Sequence, residues 1–164
     1  MSDVDAEDTF LRAVLGQPGV RQRFWSKVVL VPGSSCAWWV GAIADGGHGR
    51  FWLGSSARRR DVVAIAHRVA YAFAYGPEAL DQAALLTHSC DNPLCQNVEH
   101  LRPGTEFSNA WEWSVRRHRT GGPLRDVRGA TGRARAARAV ILGGGSLAEV
   151  LQAGDPDQDQ GALF

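Results

Sequence analysis

A chain of 164 residues, 45% hydrophobic, has room for one modest core with tails. It contains no run of about eighteen apolar residues and opens on no charged-then-apolar leader, which excludes a helical membrane span and sets the expectation of a soluble, cytoplasmic protein. The formal charge of +1 is unevenly placed: setting aside Asp3, Asp5, Glu7, Asp8, Asp155, Asp157 and Asp159 takes +1 to about +8, a basic centre of the kind that attracts phosphate backbones.

Residues 1–20 read as an acidic N-terminal segment, with a short amphipathic helix from Phe10 to Val20 that Gln17-Pro18-Gly19 would end. Arg21 to Lys27 follows as a helix that turns Phe24 and Trp25 inward. Cys36 to Gly41 has strand composition, 44–49 is a turn, and Arg50 to Leu53 is a second strand, which together predict a β-hairpin. Trp38, Trp39 and Trp52 belong to its faces, and His48, in the glycine-rich turn, is expected to face solvent. The next turn carries Arg58, Arg59 and Arg60, either a solvated cluster or a backbone contact to DNA.

Asp61 to Ile65 continues as a strand and Ala66 to Tyr75 as a helix stopped by Gly76-Pro77. His67 reads as a hydrogen-bonded structural residue. Arg68 is placed to meet a phosphate or a carboxylate. A strand then ends at His88, a long loop runs to Glu99, a return strand covers 100–102, and Thr105 caps a helix bearing Asn109, Trp111 and Trp113, of which at least one tryptophan should pack inward. Arg116, Arg117 and Arg119 are followed by Arg125, Arg128, Arg133, Arg135 and Arg138, which make residues 120–164 a basic arm suited to added DNA grip, closing in an acidic tail.

The chemistry concentrates between His88 and Asn109. Cys90 and Cys95, around Asn92-Pro93, can present two sulfurs to one ion, and His100 follows closely enough to add an imidazole nitrogen. Cys36, the remaining cysteine, would complete a closed Cys3His set of the structural zinc type. The alternatives are a Cys90–Cys95 disulfide or three inert thiols; an odd cysteine count without a secretory leader argues against the first, and the spacing against the second.

The stretch His88-x-Cys90-x4-Cys95-x4-His100-x8-Asn109 resembles the His-Cys box branch of the HNH, or ββα-metal, endonucleases. The likeness extends to Gly49-Arg50-Phe51 and Ala66-His67-Arg68, and so covers a domain over 21–119. It implies an α+β fold with a small ββα-metal nuclease core, a β-hairpin, a structural Zn2+ site and the basic C-terminal arm. By the same resemblance His88 is the general base, Cys36, Cys90, Cys95 and His100 hold zinc, Asn109 holds a catalytic Mg2+, and Arg50 grips the cleaved phosphate.

Thr87, where many HNH enzymes place a second metal ligand, suits the branch in which asparagine serves alone. No cysteine follows Cys95, which excludes that branch's second zinc and leaves a monomer or a homodimer open. The expected partner is DNA, bound through Arg58, Arg59, Arg60, Arg68, Arg116, Arg117 and Arg119, with no membrane partner. The last residues, Gln160-Gly-Ala-Leu163-Phe164, resemble the peptides by which bacterial DNA enzymes bind the replication sliding clamp. The rival to a nuclease is a non-catalytic, zinc-stabilised DNA-binding module.

Overall fold

The computed structural model describes residues 3–55 and 61–157, with the side chains of residues 3–8 excepted. Arg58, Arg59 and Arg60, and the clamp-like Gln160, Leu163 and Phe164, lie outside the described residues. The architecture is α+β, built from small antiparallel sheets and surrounding helices.

Helix α1 spans Asp3–Val14 and α2 spans Pro18–Trp25. The sequence pattern placed a single helix across Phe10–Val20; instead Pro18 opens a second one, because its fixed φ and missing N–H suit a first helical turn. Strands β1 (Val28–Leu30) and β2 (Ala37–Trp39) pair antiparallel, Val28 opposite Trp39. Strands β3 (Ala42–Ile43), β4 (Gly49–Ser55) and β5 (Asp61–Ile65) form a second sheet.

The expected hairpin between Cys36–Gly41 and Arg50–Leu53 is therefore divided: β4 pairs with β3 and β5, and β2 belongs to another sheet. Trp39 is the reason. Its fully buried indole lies so close to the chain that a Cβ on Gly41 or Gly49 would fall 2.6 or 2.5 Å from the ring, and its Nε1 donates to the Ala42 carbonyl at 2.9 Å. The strand breaks at Gly41 and the backbone wraps around the indole.

Helix α3 (Ala66–Tyr75) follows β5 directly. Strands β6 (Leu85–His88) and β7 (Leu101–Gly104) pair antiparallel, His88 opposite Leu101, and α4 (Glu106–Arg116) leaves β7 at once. Helices α5 (Gly129–Gly143) and α6 (Leu147–Gln152) end the described chain.

One buried cluster joins these elements. Phe24 stands at its centre, with ring centroids 5.0 Å from Trp25, 5.2 Å from Phe51 and Trp39, and 5.5 Å from Phe73. Leu11 and Val14 of α1, Ala134 and Ala137 of α5, and Leu147 of α6 are buried in the same cluster. Residues before 21 and after 119 thus contribute to the core. The basic segment is no free arm: Arg138 Nε donates to the Val40 and Gly41 carbonyls at 2.9 and 2.8 Å, and Arg125 forms a two-point pair with Asp157 at 2.6 and 3.0 Å. Among the described residues, no helix is long and apolar enough to cross a membrane.

Candidate metal centre and adjoining cleft

The ligand atoms of Cys36, Cys90, Cys95 and His100 lie within 4.8 Å of one another. His100 Nδ1 stands 3.4 Å from Cys95 Sγ and 3.9 Å from Cys36 Sγ. The backbone explains the meeting. The loop after β6 adds to β2 as a short extra strand: Trp38 bridges Cys95, Trp39 N donates to Leu94 O at 2.9 Å and Gln96 N to Ala37 O at 2.7 Å. That pairing carries Cys95 to the strand that Cys36 precedes.

Two asparagines shape the rest of the loop. Asn92 Oδ1 accepts from Leu94 N at 3.2 Å, turning the chain between the two cysteines. Asn97 caps the 3-10 turn Val98–His100 through Glu99 N at 3.1 Å, while its Nδ2 donates to Ser35 O at 2.9 Å. His100 is thereby fixed beside the residue before Cys36.

None of the three cysteines is in a disulfide. Hydrogen bonds from the Cys90 and Cys95 thiols hold the Cys36 thiol far below its ordinary pKa, and the same contacts with Cys36 push theirs up. A divalent cation bound by these sulfurs would displace their remaining protons. Three thiolates and one imidazole make a donor set that can hold a metal ion such as zinc in a structural, four-coordinate site.

His88 ends β6 and is buried. Its Nε2 lies 3.1 Å from the Cys95 carbonyl oxygen. A carbonyl only accepts, so Nε2 carries the hydrogen and Nδ1 keeps its lone pair. Burial pushes the imidazole down to about 4, against the opposing effect of the Cys95 hydrogen bond, so the ring is neutral at neutral pH.

His88 and Asn109 line one open cleft of about 430 Å³, together with His48, Asp91 and Arg116. Asn109 is exposed on the first turns of α4, which starts with a reciprocal cap: Thr105 Oγ1 accepts from Ser108 N at 3.1 Å and Ser108 Oγ from Thr105 N at 2.8 Å. Arg50 sits on β4 opposite Ala42 and Ile65. It makes no ion pair or side-chain hydrogen bond among the described residues. Its charge, second to burial, lowers the pKa of His48.

The other arginines divide. Arg68 is buried, and its Nη1 donates to the Ala83 and Ala84 carbonyls at 3.0 and 3.3 Å. It fixes the chain entering β6, with its side chain directed to these carbonyls in the interior. Arg116 is also an internal tie: its Nη2 lies 2.9 Å from Asp91 Oδ1, 3.0 Å from Glu112 Oε2 and 3.4 Å from the His88 carbonyl. It pins the metal-site loop to α4, with Asp91 held at a left-handed φ of 52°. Arg117, stacked 4.7 Å over the Trp113 ring, and Arg119 remain exposed.

Neither tryptophan of α4 packs inward. Trp111 is 64% and Trp113 48% exposed, and no residue of that helix is buried. Helix α4 is held by its cap, its chain connection to β7 and Arg116, and it leaves the aromatics at the surface beside the cleft.

Two histidines outside the expected site stand next to His88. His67, read from sequence as hydrogen-bonded, is 4% exposed and its Nδ1 has no hydrogen-bond partner among the described residues. His48, read as solvent-facing, is half-buried and lines the cleft. Ring centroids are 4.7 Å apart for His67 and His88, 5.3 Å for His48 and His67, and 6.1 Å for His48 and His88. Burial lowers the pKa of both newcomers, with Arg50 adding to the effect on His48 and His88 to that on His67. The available signal was His48 lying two residues before Arg50.

No family model matches the chain, and no solved structure matches it. Two proteins of Escherichia phage T7 are similar over part of their length. Protein 7.7 is 33% identical over 75 residues, covering 46% of this chain and 52% of that protein. Protein 2.8 is 37% identical over 82 residues, covering 50% of this chain and 51% of that protein. The chain spans about half the length of these curated relatives.

Proposed function

We propose that the protein is a metal-dependent DNA endonuclease of the HNH, ββα-metal type, hydrolysing phosphodiester bonds with His88 as general base and a structural zinc beneath it. The observation that carries this reading is the pairing of His88 and Asn109 across one cleft, with the far nitrogen of His88 already bound to a carbonyl. Strand β6, the metal loop, strand β7 and helix α4 follow one another in the order of a ββα unit and support it.

Hydrolysis needs a proton acceptor for water, a cation at the phosphate, and stabilisation of the leaving oxygen. His88 Nδ1, neutral and unprotonated, takes the proton from a water in the cleft. The Cys95 carbonyl keeps the opposite nitrogen protonated throughout, so the ring cannot present the wrong tautomer. Arg50, without an ion pair among the described residues, neutralises phosphate charge from the β4 side. The Asn109 carboxamide oxygen is the ligand for magnesium, a hard cation that takes few protein oxygens; when bound it supplies Lewis-acid polarisation and stabilises the leaving group.

DNA reaches the cleft past exposed Arg117 and Arg119, which contact its backbone without reading sequence. A non-catalytic zinc module would use the same basic surface but has no need of a tautomer-fixed imidazole lining one cleft with a carboxamide. The test is nicking of supercoiled plasmid with and without magnesium by zinc-loaded protein. Magnesium-dependent conversion to open circles supports the nuclease; binding without conversion under any divalent ion rejects it.

A further inference from the structure

The cluster of His48, His67 and His88 has no role in the chemistry above beyond the single base, yet it gathers three imidazoles from three separate elements: the β3–β4 turn, the start of α3 and the end of β6. One ligand nitrogen of each lies within 4.8 Å of those of the other two. His67 is almost wholly buried and its Nδ1 has no hydrogen-bond partner among the described residues. A buried imidazole nitrogen without a partner is costly unless something fills its lone pair or takes its proton.

We propose that these three histidines form a second metal site, selective for borderline transition cations such as Zn2+, Co2+ or Ni2+, whose occupation silences the nuclease by taking His88 as a ligand. Three neutral imidazoles with a fourth position open to the cleft are a donor set for such ions. Closing the nitrogens onto one ion at the roughly 2.0–2.1 Å of a zinc–imidazole bond asks each ring to shift by roughly an ångström. His88 is already oriented for this: an imidazole that ligates through one nitrogen commonly donates the other N–H to a carbonyl, and Cys95 O fills that place at 3.1 Å.

Magnesium, which favours oxygen ligands and keeps its waters, has little affinity for such a site. The same cleft thus distinguishes an activating hard cation at Asn109 from an inhibiting softer one at the histidines. The nearby guanidinium groups of Arg50 and Arg68 repel a dication, so this site fills after the Cys3His site. The metal site stands on the three histidines alone; only its inhibitory consequence rests on the nuclease reading.

The test starts from full-length protein carrying one equivalent of zinc and adds Co2+, which does not displace zinc from a thiolate site. Expected is a second equivalent, seen as ligand-field bands without thiolate-to-cobalt charge transfer, insensitive to excess magnesium. His48→Ala, on a partly exposed turn, and His67→Gln each weaken it by at least about tenfold, while the first zinc stays bound. In the plasmid assay, half-inhibition by cobalt moves to higher concentration in His48→Ala in the same proportion. Failure of the zinc-loaded wild type to take up a second equivalent overturns the proposal, as does uptake unchanged by His48→Ala. A protein that takes up the second ion through these residues but cuts no DNA under magnesium retains the metal site and loses the nuclease reading.

Discussion

His88 and Cys95 are joined by a 3.1 Å contact between an imidazole Nε2 and a main-chain carbonyl. Cys95 is thus a candidate metal ligand through its sulfur and an orienting group for the cleft-facing histidine through its backbone. Whatever holds the loop in shape also holds the tautomer, so the stability of the metal site and the competence of the cleft are coupled through one residue.

Removal of zinc is therefore expected to lower both. Structural zinc sites contribute directly to folding free energy, and each kcal/mol shifts the melting temperature of a chain of this size by roughly 2–4 °C. Stripping the metal, or Cys90→Ala, is expected to lower the melting temperature by more than about 10 °C. Calorimetry on zinc-loaded and zinc-free protein checks this; identical melting curves would contradict it.

Arg116→Ala is expected to destabilise the protein by about 1–3 kcal/mol, because it leaves the mostly buried Asp91 carboxylate without its cation. Its side chains are 24% and 14% exposed for Arg116 and Asp91, so solvent screens this pair only partly. Arg117→Ala, next in sequence but exposed, is expected to change stability by no more than about 0.5 kcal/mol. Urea unfolding of the two variants side by side separates the internal tie from the surface charge; equal midpoints would show that Arg116 does not anchor the loop.

Acid should selectively weaken the α5–α6 end. Burial alone would raise the Asp126 carboxyl, but side-chain and backbone hydrogen bonds from Arg128, with the charges of Arg128 and Arg133, outweigh it and hold the pKa below its usual value. A depressed carboxyl contributes stability above its unfolded pKa and loses it as pH falls toward the folded value. Asp126→Asn is expected to melt lower than wild type at pH 7, with the gap closing as pH drops below about 4. A gap that stays constant down to that range would assign the loss to packing instead.

Asn109→Ala, at an exposed helix position, is expected to leave stability within about 0.5 kcal/mol of wild type while abolishing magnesium-dependent cleavage. Asn109→Asp keeps an oxygen in place and is expected to restore part of the rate. Full activity in Asn109→Ala would remove this residue from the metal's shell.

The metal loop was legible because its ligands are close in sequence: Cys90, Cys95 and His100 fall within one loop, and Cys36 was the only cysteine left to join them. The helix after β7 was legible from Thr105 and the residues that follow it. The Cys95 carbonyl was not, because every residue carries one and no side-chain pattern marks which is used. His48 and His67 were assigned separately, to solvent and to structure, since their meeting with His88 depends on three elements converging. The arginines of α5 read as an arm because charge is conspicuous, while Ala134 and Ala137, three apart and small enough for close packing, are the quieter sign that the helix docks. At least one of Trp111 and Trp113 was expected to pack inward, yet both stay exposed, Trp113 with the Arg117 guanidinium over its ring.

The most direct test compares wild type and His88→Ala, each shown to carry one zinc and to melt cooperatively, in magnesium-dependent plasmid nicking. Expected is cleavage by the wild type and a loss of about 10²–10⁴-fold in the variant, the range for a general base. Undiminished cleavage by zinc-loaded, folded His88→Ala, or none by the wild type on any DNA form, would contradict the assignment.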